Sequence, residues 1–248
     1  MHIYDYTDKT DPFLSSTDKI SKIKDNINLY PSVTTVLNYY PNKWLEDWKL
    51  NKFVELAKEN PDADISDIKE MAWGYVTVPW SGEVLTSSDF GTKGHEAIDS
   101  IINQTNDPTD DWTIFVSKVV DEIFSQGLFP IMTEYLSCCH DMRIAGRIDL
   151  IAKSTDDKYV LLDYKFRRLG KTKKPKFYDK DCAQLALEAE FVQQEYHLDY
   201  VPKICSVCID IEDGEPFFKW WSDKKFNKCV NLAYIARDMF FLDNNIPL

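Results

Sequence analysis

Residues 146 to 166, GRIDLIAKSTDDKYVLLDYKF, constrain the fold more than any other stretch of the chain. Two runs rich in Ile, Leu, Val and Tyr flank the polar segment KSTDDK, the pattern of two strands joined by a turn. Side chains alternate between faces along a strand, so Asp163 and Lys165 project together while Tyr164 faces the other way. An apex at Asp156 sets Asp149 opposite Asp163 and Arg147 opposite Lys165. One face then collects Arg147, Asp149, Asp163 and Lys165, and the other collects Ile148, Leu150, Val160 and Leu162. A slip of one residue would scatter the charges over both faces, so the pattern selects this register or another of the same parity.

Two carboxylates facing each other across a hairpin repel by about 4 kcal/mol at ~4 Å and an effective dielectric near 20. Arg147 and Lys165 could offset this as a surface lattice of charge. A divalent cation would do so better, because Mg²⁺ favours hard carboxylate oxygens and keeps waters in its remaining positions. A lysine beside such an ion could orient a nucleophilic water and stabilise negative charge developing on a phosphate.

The rest of the chain supplies alternating helical and strand patterns without internal repeats. Helices are predicted over 41–60, with Trp44, Trp48 and Leu50 among the apolar positions, and over 87–104, 113–124, 181–198 and 222–241. Strands are predicted over 131–138, 144–152, 159–166, 204–211 and 216–221. The expected architecture is an α/β sandwich with a mixed or antiparallel sheet of about five strands flanked by helices. Residues 1–86 are expected to form a mostly helical region contributing to a DNA channel, and 87–248 the core.

With 248 residues, 44% of them hydrophobic, the chain can bury a substantial interior. The opening MHIYDYTDKTDPF has neither the apolar run of a secretory signal nor the Arg-rich character of a transit peptide, and no run of 18 apolar residues follows. The expectation is a soluble intracellular protein of the cytoplasm, a nucleoid or a viral replication setting, with no membrane partner. The six cysteines include a CxxC, Cys205 and Cys208, inside an apolar strand where residues three apart face opposite ways and chelate poorly. They read as structural thiols.

A net charge of −12 argues against general affinity for nucleic acid. The segment KFRRLGKTKKPK, 165–176, nevertheless holds seven basic residues and no acid. Directly after the Asp-x-Lys strand, it places Arg167, Arg168, Lys171, Lys173 and Lys174, with Arg147, as candidate phosphate contacts; a solvated loop is the alternative. Ser32, Thr34 and Thr35 could donate hydroxyls to phosphates or simply cap a helix. Trp73, Tyr75 and Trp80 could stack bases or belong to the core. His95 lies three before Ile98 and seven before Ile102, so it can turn toward the sheet with that stripe; alone it would read as a core histidine. Glu134 alternates with Met132 and Leu136 and could enter the site from a neighbouring strand, or stand as an edge charge.

The order GTKGHEAI, GRID, VLLDYK and a helix containing Gln184 resembles the PD-(D/E)XK nuclease superfamily, in its RecB-like exonuclease branch. PSVTTVL, 31–37, is further similar to the mitochondrial genome maintenance group of single-strand-specific DNA exonucleases. The likeness runs discontinuously from Pro31 to Gln184. It implies Asp149 and Asp163 as metal ligands, Lys165 as the catalytic lysine, His95 as a further ligand and the Tyr164 carbonyl as another. It often brings a Glu to the region of Glu134. Gln184 matches the glutamine of a Gln-x-x-x-Tyr motif, but position 188 is Glu. No cysteine precedes His95, where the iron–sulfur branch carries its first ligand. The implied function is a Mg²⁺- or Mn²⁺-dependent exonuclease acting on single-stranded DNA from a free end. An endonuclease with the same core and a non-catalytic DNA-binding scaffold are the alternatives.

Overall fold

The computed structural model describes residues 3–5, 19–25, 28–40, 50, 53–65, 68 and 74–247. Trp44, Trp48 and Trp73 lie outside the described residues, and of the helix expected over 41–60 residues 53–59 are helical. In chain order the elements are β1 (Ile3–Asp5), α1 (Lys19–Asp25), β2 (Leu29–Pro31), α2 (Val33–Val36), β3 (Tyr75–Thr77), β4 (Val84–Thr86), α3 (Ser87–Ile102) and α4 (Asp111–Ser125). They continue with β5 (Leu128–Cys139), β6 (Ile144–Ser154), β7 (Tyr159–Arg167), α5 (Asp179–Glu195), β8 (Lys203–Asp210), β9 (Pro216–Trp220) and α6 (Asp223–Asp243). Among these elements no helix is long and apolar enough to cross a membrane.

Strands β5 to β9 form one five-stranded sheet in sequence order, antiparallel except for the parallel pair β7–β8. That pair needs a crossover, and α5 supplies it. One face of the sheet carries α5 and α6 over a core of Ile151, Leu161, Leu185, Phe191, Ala233 and Phe241. The other carries α3 and α4 over Phe90, Ile98, Val116, Ile123, Leu150 and Leu162. Helix α5 is buried on most sides because it lies between the sheet and α6. Ile3, Ile23, Leu29, Val33, Val36 and Leu37 join the core of that same face, so the described residues 3–40 pack into the sandwich. Within 1–86 two short antiparallel pairs, β1–β2 and β3–β4, stand beside the helical pieces. Ser32 bridges Ala145 in parallel, laying the turn into α2 along the end of β6.

The expected hairpin register is observed: Leu150 pairs Leu162 and Lys153 pairs Tyr159. The β6–β7 ladder stops there, one residue short of Asp149 and Asp163, while β6 continues beside β5 and β7 beside β8. The two strands part at the aspartates. One expectation is corrected. Ile148 packs with Ile151 and Leu161 on the α5 face, not with Leu150, Val160 and Leu162 on the α3 face. The alternation breaks at Asp149, opposite Glu134, whose φ of 48° interrupts β5 between the paired residues Thr133 and Tyr135.

Candidate metal centre and active site

Beside the break in alternation, the carboxylates of Glu134 and Asp149 both approach His95. A non-glycine residue at positive φ inside a strand costs of order 1–3 kcal/mol, and Glu134 holds that conformation with its carboxylate directed at α3. Helix α3 begins at a cap in which Thr86 Oγ1 accepts from the Asp89 amide at 3.1 Å and donates to the Asp89 carboxylate at 2.8 Å. Two turns on, Gly94 faces the Phe166 ring and lets the helix lie close to β7. His95 follows.

His95 Nδ1 lies 3.4 Å from Asp149 Oδ1 and 3.6 Å from Glu134 Oε1, and its Nε2–H donates to the Tyr164 carbonyl at 3.2 Å. The Tyr164 amide in turn donates to Asp149 Oδ2 at 2.7 Å. Burial alone would depress the imidazole, but the Asp149 carboxylate, helped by Glu134, outweighs it and pushes His95 up to about 10. Burial would raise Asp149, and the opposing His95 and Lys165 cations hold it below the usual carboxylate range. A proton on Nδ1 thus stands where a cation could replace it. One donor atom from each of His95, Glu134 and Asp149 lies within 4.8 Å of the other two. One imidazole nitrogen with two carboxylate oxygens fits a divalent metal and tolerates Mn²⁺ better than an all-oxygen set would. The Tyr164 carbonyl, expected as a ligand, serves here as the acceptor that orients the imidazole.

Asp163 is placed differently. It is 1% exposed, its Oδ1 accepts from Lys165 Nζ at 2.5 Å, and its Oδ2 is buried without a hydrogen-bond partner. Burial pushes its carboxyl up against the opposing effect of Lys165. Lys165, which burial would depress, is held above its ordinary value by Asp163 and Asp149. The lysine is therefore a cation steered by Asp163, and it enters a cleft of about 540 Å³ with His95, Glu134, Arg147 and Phe166. Ser87, Ser88 and Thr92 of α3 line the opposite rim.

Gln184 sits on α5 beneath Lys165 and donates from Nε2 to Glu188 Oε1 at 3.2 Å. Glu188, where the Gln-x-x-x-Tyr motif has its aromatic residue, is 1% exposed, and burial, with Asp163 and Asp149 nearby, raises its carboxyl well above the usual range. It fits there because Gly146 presents no side chain: a Cβ on that residue would stand 3.0 Å from Glu188 Cγ and Oε1.

The basic run divides. Arg167 grips the Asp181 carboxylate with two bonds from Nη2 at 2.8 Å and also donates to the Lys176 carbonyl. Lys173 is held by Asp210 and by Asp213, the latter at 2.9 Å. These two basic groups tie the loop to the sheet. Arg168, 3.9 Å from Glu212, and Lys171, Lys174 and Lys176 are exposed. Arg147 lies over the Tyr4 ring, 5.9 Å from its centroid, at the mouth of the cleft. Ser32 caps α2 and bonds both threonine hydroxyls, at 3.0 Å for Thr34 and 2.9 Å for Thr35, so the capping alternative describes Ser32 while Thr34 stays exposed. Trp80 packs edge-on against Trp112 at 5.0 Å and beside Phe115 at 4.8 Å, a core position, and Tyr75 is exposed on β3. The six cysteines are free thiols, five of them buried, Cys205 and Cys208 among them.

Sequence reasoning missed Asn38 and Lys180, which share a hollow with Lys165, because only the folded chain sets the turn after α2 beside the start of α5.

No family model matches the chain, and no curated protein is close enough in sequence to count as a relative. Among solved structures, it is similar to the "putative exonuclease" of Eubacterium rectale, with 11% identity over 94% of this chain and 87% of that one, and a TM-score of 0.41. It is also similar to the protein SSO0001, with 16% identity over 78% and 71% of the two chains and a TM-score of 0.32.

Proposed function

We propose that the chain is a divalent-metal-dependent nuclease of the PD-(D/E)XK type that shortens single-stranded DNA from free ends. The observation that carries this reading is the meeting of His95, Glu134 and Asp149 donor atoms within 4.8 Å at the mouth of a cleft that Lys165 also enters. His95, Glu134 and Asp149 would hold the ion, with the orphaned Asp163 oxygen close at hand behind Lys165. A bound Mg²⁺ or Mn²⁺ would supply a polarised phosphoryl oxygen and a more acidic water. Lys165, charged and oriented by Asp163, places its ammonium where negative charge grows on a phosphate. Tyr164 fixes the geometry on both sides, its carbonyl holding His95 and its amide holding Asp149.

Single strands are favoured by charge. A chain at −12 repels phosphate over most of its surface within a Debye length of about 8 Å at physiological salt, so contact is confined to a narrow basic strip, which suits a flexible strand better than a duplex. The test is a gel assay with end-labelled linear and circular single-stranded DNA and blunt duplex, in Mg²⁺, Mn²⁺ or chelator. Progressive shortening of the linear strand, slow attack on duplex and intact circles are expected. Lys165→Ala should lower the rate by roughly 100-fold or more while the protein still binds the strand. Rapid linearisation of circles would move the reading to an endonuclease, and no cleavage with either metal would leave a binding scaffold.

A further inference from the structure

Besides the His95 imidazole, two basic side chains line the cleft, Lys165 and Arg147, and they differ in how far their charge is engaged. Lys165 is paired with Asp163 at 2.5 Å. Arg147 shares the cleft with the carboxylates of Glu96, Asp99 and Glu134, yet among the described residues its guanidinium forms no ion pair and donates no hydrogen bond. What it meets is the ring of Tyr4, with the guanidinium carbon 5.9 Å from the ring centroid. A ring covers the face of a guanidinium and leaves open the edge that carries the N–H groups, a fork matched to phosphate oxygens. The ring is a fixed platform: Tyr4 is 7% exposed and packs with Tyr30, Ala145 and Leu136. Tyr4 stands opposite Tyr30 in the β1–β2 pair, and Ser32, two residues on from Tyr30, bridges Ala145, two residues before Arg147. The N-terminal strand is therefore seated at the end of β6 and presents Tyr4 to Arg147. Arg147 and Asp149 are two residues apart on β6, about 6.6 Å at roughly 3.3 Å per residue, a spacing that separates the fork from the metal donors.

We propose that Arg147 binds a phosphate flanking the one that is cut, and that Tyr4 of β1 is the positioning residue that holds the guanidinium ready for it. The assignment rests on the nuclease reading and deepens it, since it makes the N-terminal strand part of the substrate site. Arg147 acts through binding, so its loss should appear in KM. Tyr4 acts only through Arg147, so its effect on KM should vanish once Arg147 is replaced.

The experiment uses short end-labelled single strands, all-phosphate or with one linkage at a time replaced by an uncharged methylphosphonate. Cleavage is followed in Mn²⁺, and binding by fluorescence anisotropy in chelator. Arg147→Gln should raise KM about tenfold and leave kcat within about twofold, in line with loss of one charge-assisted contact. Arg147→Lys should recover only part of this, because an ammonium keeps the charge and lacks the fork. In the parent, one neutral linkage flanking the cleaved bond should raise KM to a similar extent, and Arg147→Gln should be indifferent to it. Tyr4→Leu should raise KM about threefold, Tyr4→Phe, which keeps the ring, should bring it back toward the parental value, and Tyr4→Leu should add nothing in the Arg147→Gln background. An unchanged KM in Arg147→Gln, or undiminished sensitivity of that variant to the neutral linkage, overturns the assignment of Arg147. A Tyr4→Leu effect of equal size in both backgrounds overturns the positioning role. Should Tyr4→Leu fail to fold, Tyr4→Phe and the Arg147 variants with the linkage series decide. Should the parent bind strands but cleave none, the nuclease reading fails, while the same coupling between Arg147 and one linkage, read in the anisotropy, still decides whether Arg147 holds phosphate. Absence of strand binding overturns both.

Discussion

Gly94 of α3 stands against the ring of Phe166 on β7 so closely that a Cβ at this position would run into the ring carbons. This contact sets the height of α3 above the sheet, and His95, the next residue, depends on that height for its approach to Asp149 and the Tyr164 carbonyl. Gly94→Ala is expected to destabilise the fold by about 1–3 kcal/mol through overpacking and to weaken Mn²⁺ binding by an order of magnitude or more. Gly91 on the same helix has nothing within 4 Å of an added Cβ, so Gly91→Ala should be neutral or stabilising by up to ~1 kcal/mol from helix propensity. Urea denaturation and calorimetric Mn²⁺ titration of the two variants give the comparison; equal behaviour would remove Gly94 from the positioning of His95.

The metal-free protein should lose stability as pH rises. His95 is pushed up to about 10, Asp163 up to about 7 and Glu188 well above its usual range, so the folded state holds more protons than the unfolded one across these intervals. The stabilisation is full below the ordinary values, near 3.8 for Asp163 and 6.5 for His95, and is lost as pH climbs through the folded ones. Asp149, held low, acts in the opposite sense only at the acid end. In chelator the urea midpoint should therefore fall from pH 5 to pH 9, and Asp163→Asn should flatten the limb below pH 7. Added Mn²⁺ should reverse the slope, because its ligands must give up protons. A midpoint that climbs with pH in chelator would contradict the described charge arrangement.

Glu188 is expected to contribute through packing more than through charge. Burial, with Asp163 and Asp149 nearby, raises its carboxyl well above the usual range, and Gln184 and the space above Gly146 hold it in place. Glu188→Gln should leave stability within about 1 kcal/mol and preserve strand cleavage. Gly146→Ala should cost about 1–3 kcal/mol, since the new methyl meets Glu188 at 3.0 Å and Val33 Cγ2 at 3.2 Å. Combining Gly146→Ala with Glu188→Ala should recover part of that loss, a coupling that a double-mutant cycle in urea measures directly. Strict additivity would show that the two residues do not share the space.

The hairpin was legible because its charges and aliphatics sort cleanly in only one parity, and Leu150 pairs Leu162 as that parity requires. His95 was legible in part from the Ile98 and Ile102 stripe of its helix. The face of Ile148 was not, because the alternation of β6 breaks at Asp149, beside the positive φ of Glu134 on β5, and neither residue type gives a sign of it. The meeting of Lys180 with Asn38 was equally hidden, since the two lie far apart in sequence, and Glu188 showed in the sequence only as a departure from the motif, its fit above Gly146 being set by the packing of α5. Arg167 and Lys173 look in the sequence like their basic neighbours. The parallel pairing of β7 with β8 brings up Asp210, which engages Lys173, and the first turn of α5 supplies Asp181, which engages Arg167.

That division of the basic run gives the last prediction. Phosphate contacts reveal themselves through salt: each one lost should reduce the slope of log K against log salt by roughly 0.7 on a single strand. Arg168, Lys171, Lys174 and Lys176 are exposed, so replacing all four with Ala should flatten the slope by up to about 3 while the fold stays near parental stability. Arg167→Ala should act the other way round. It leaves the buried Asp181 carboxylate without its two-bond partner, so the main effect is a loss of about 3 kcal/mol or more in stability. Its salt slope should change little, because its guanidinium already faces a carboxylate and a backbone carbonyl. Anisotropy titrations between 50 and 200 mM salt, at roughly the range where such slopes are read, separate the two. If the fourfold variant keeps the parental slope, the strand passes elsewhere, and Arg147 with the α3 rim becomes the surface to replace next.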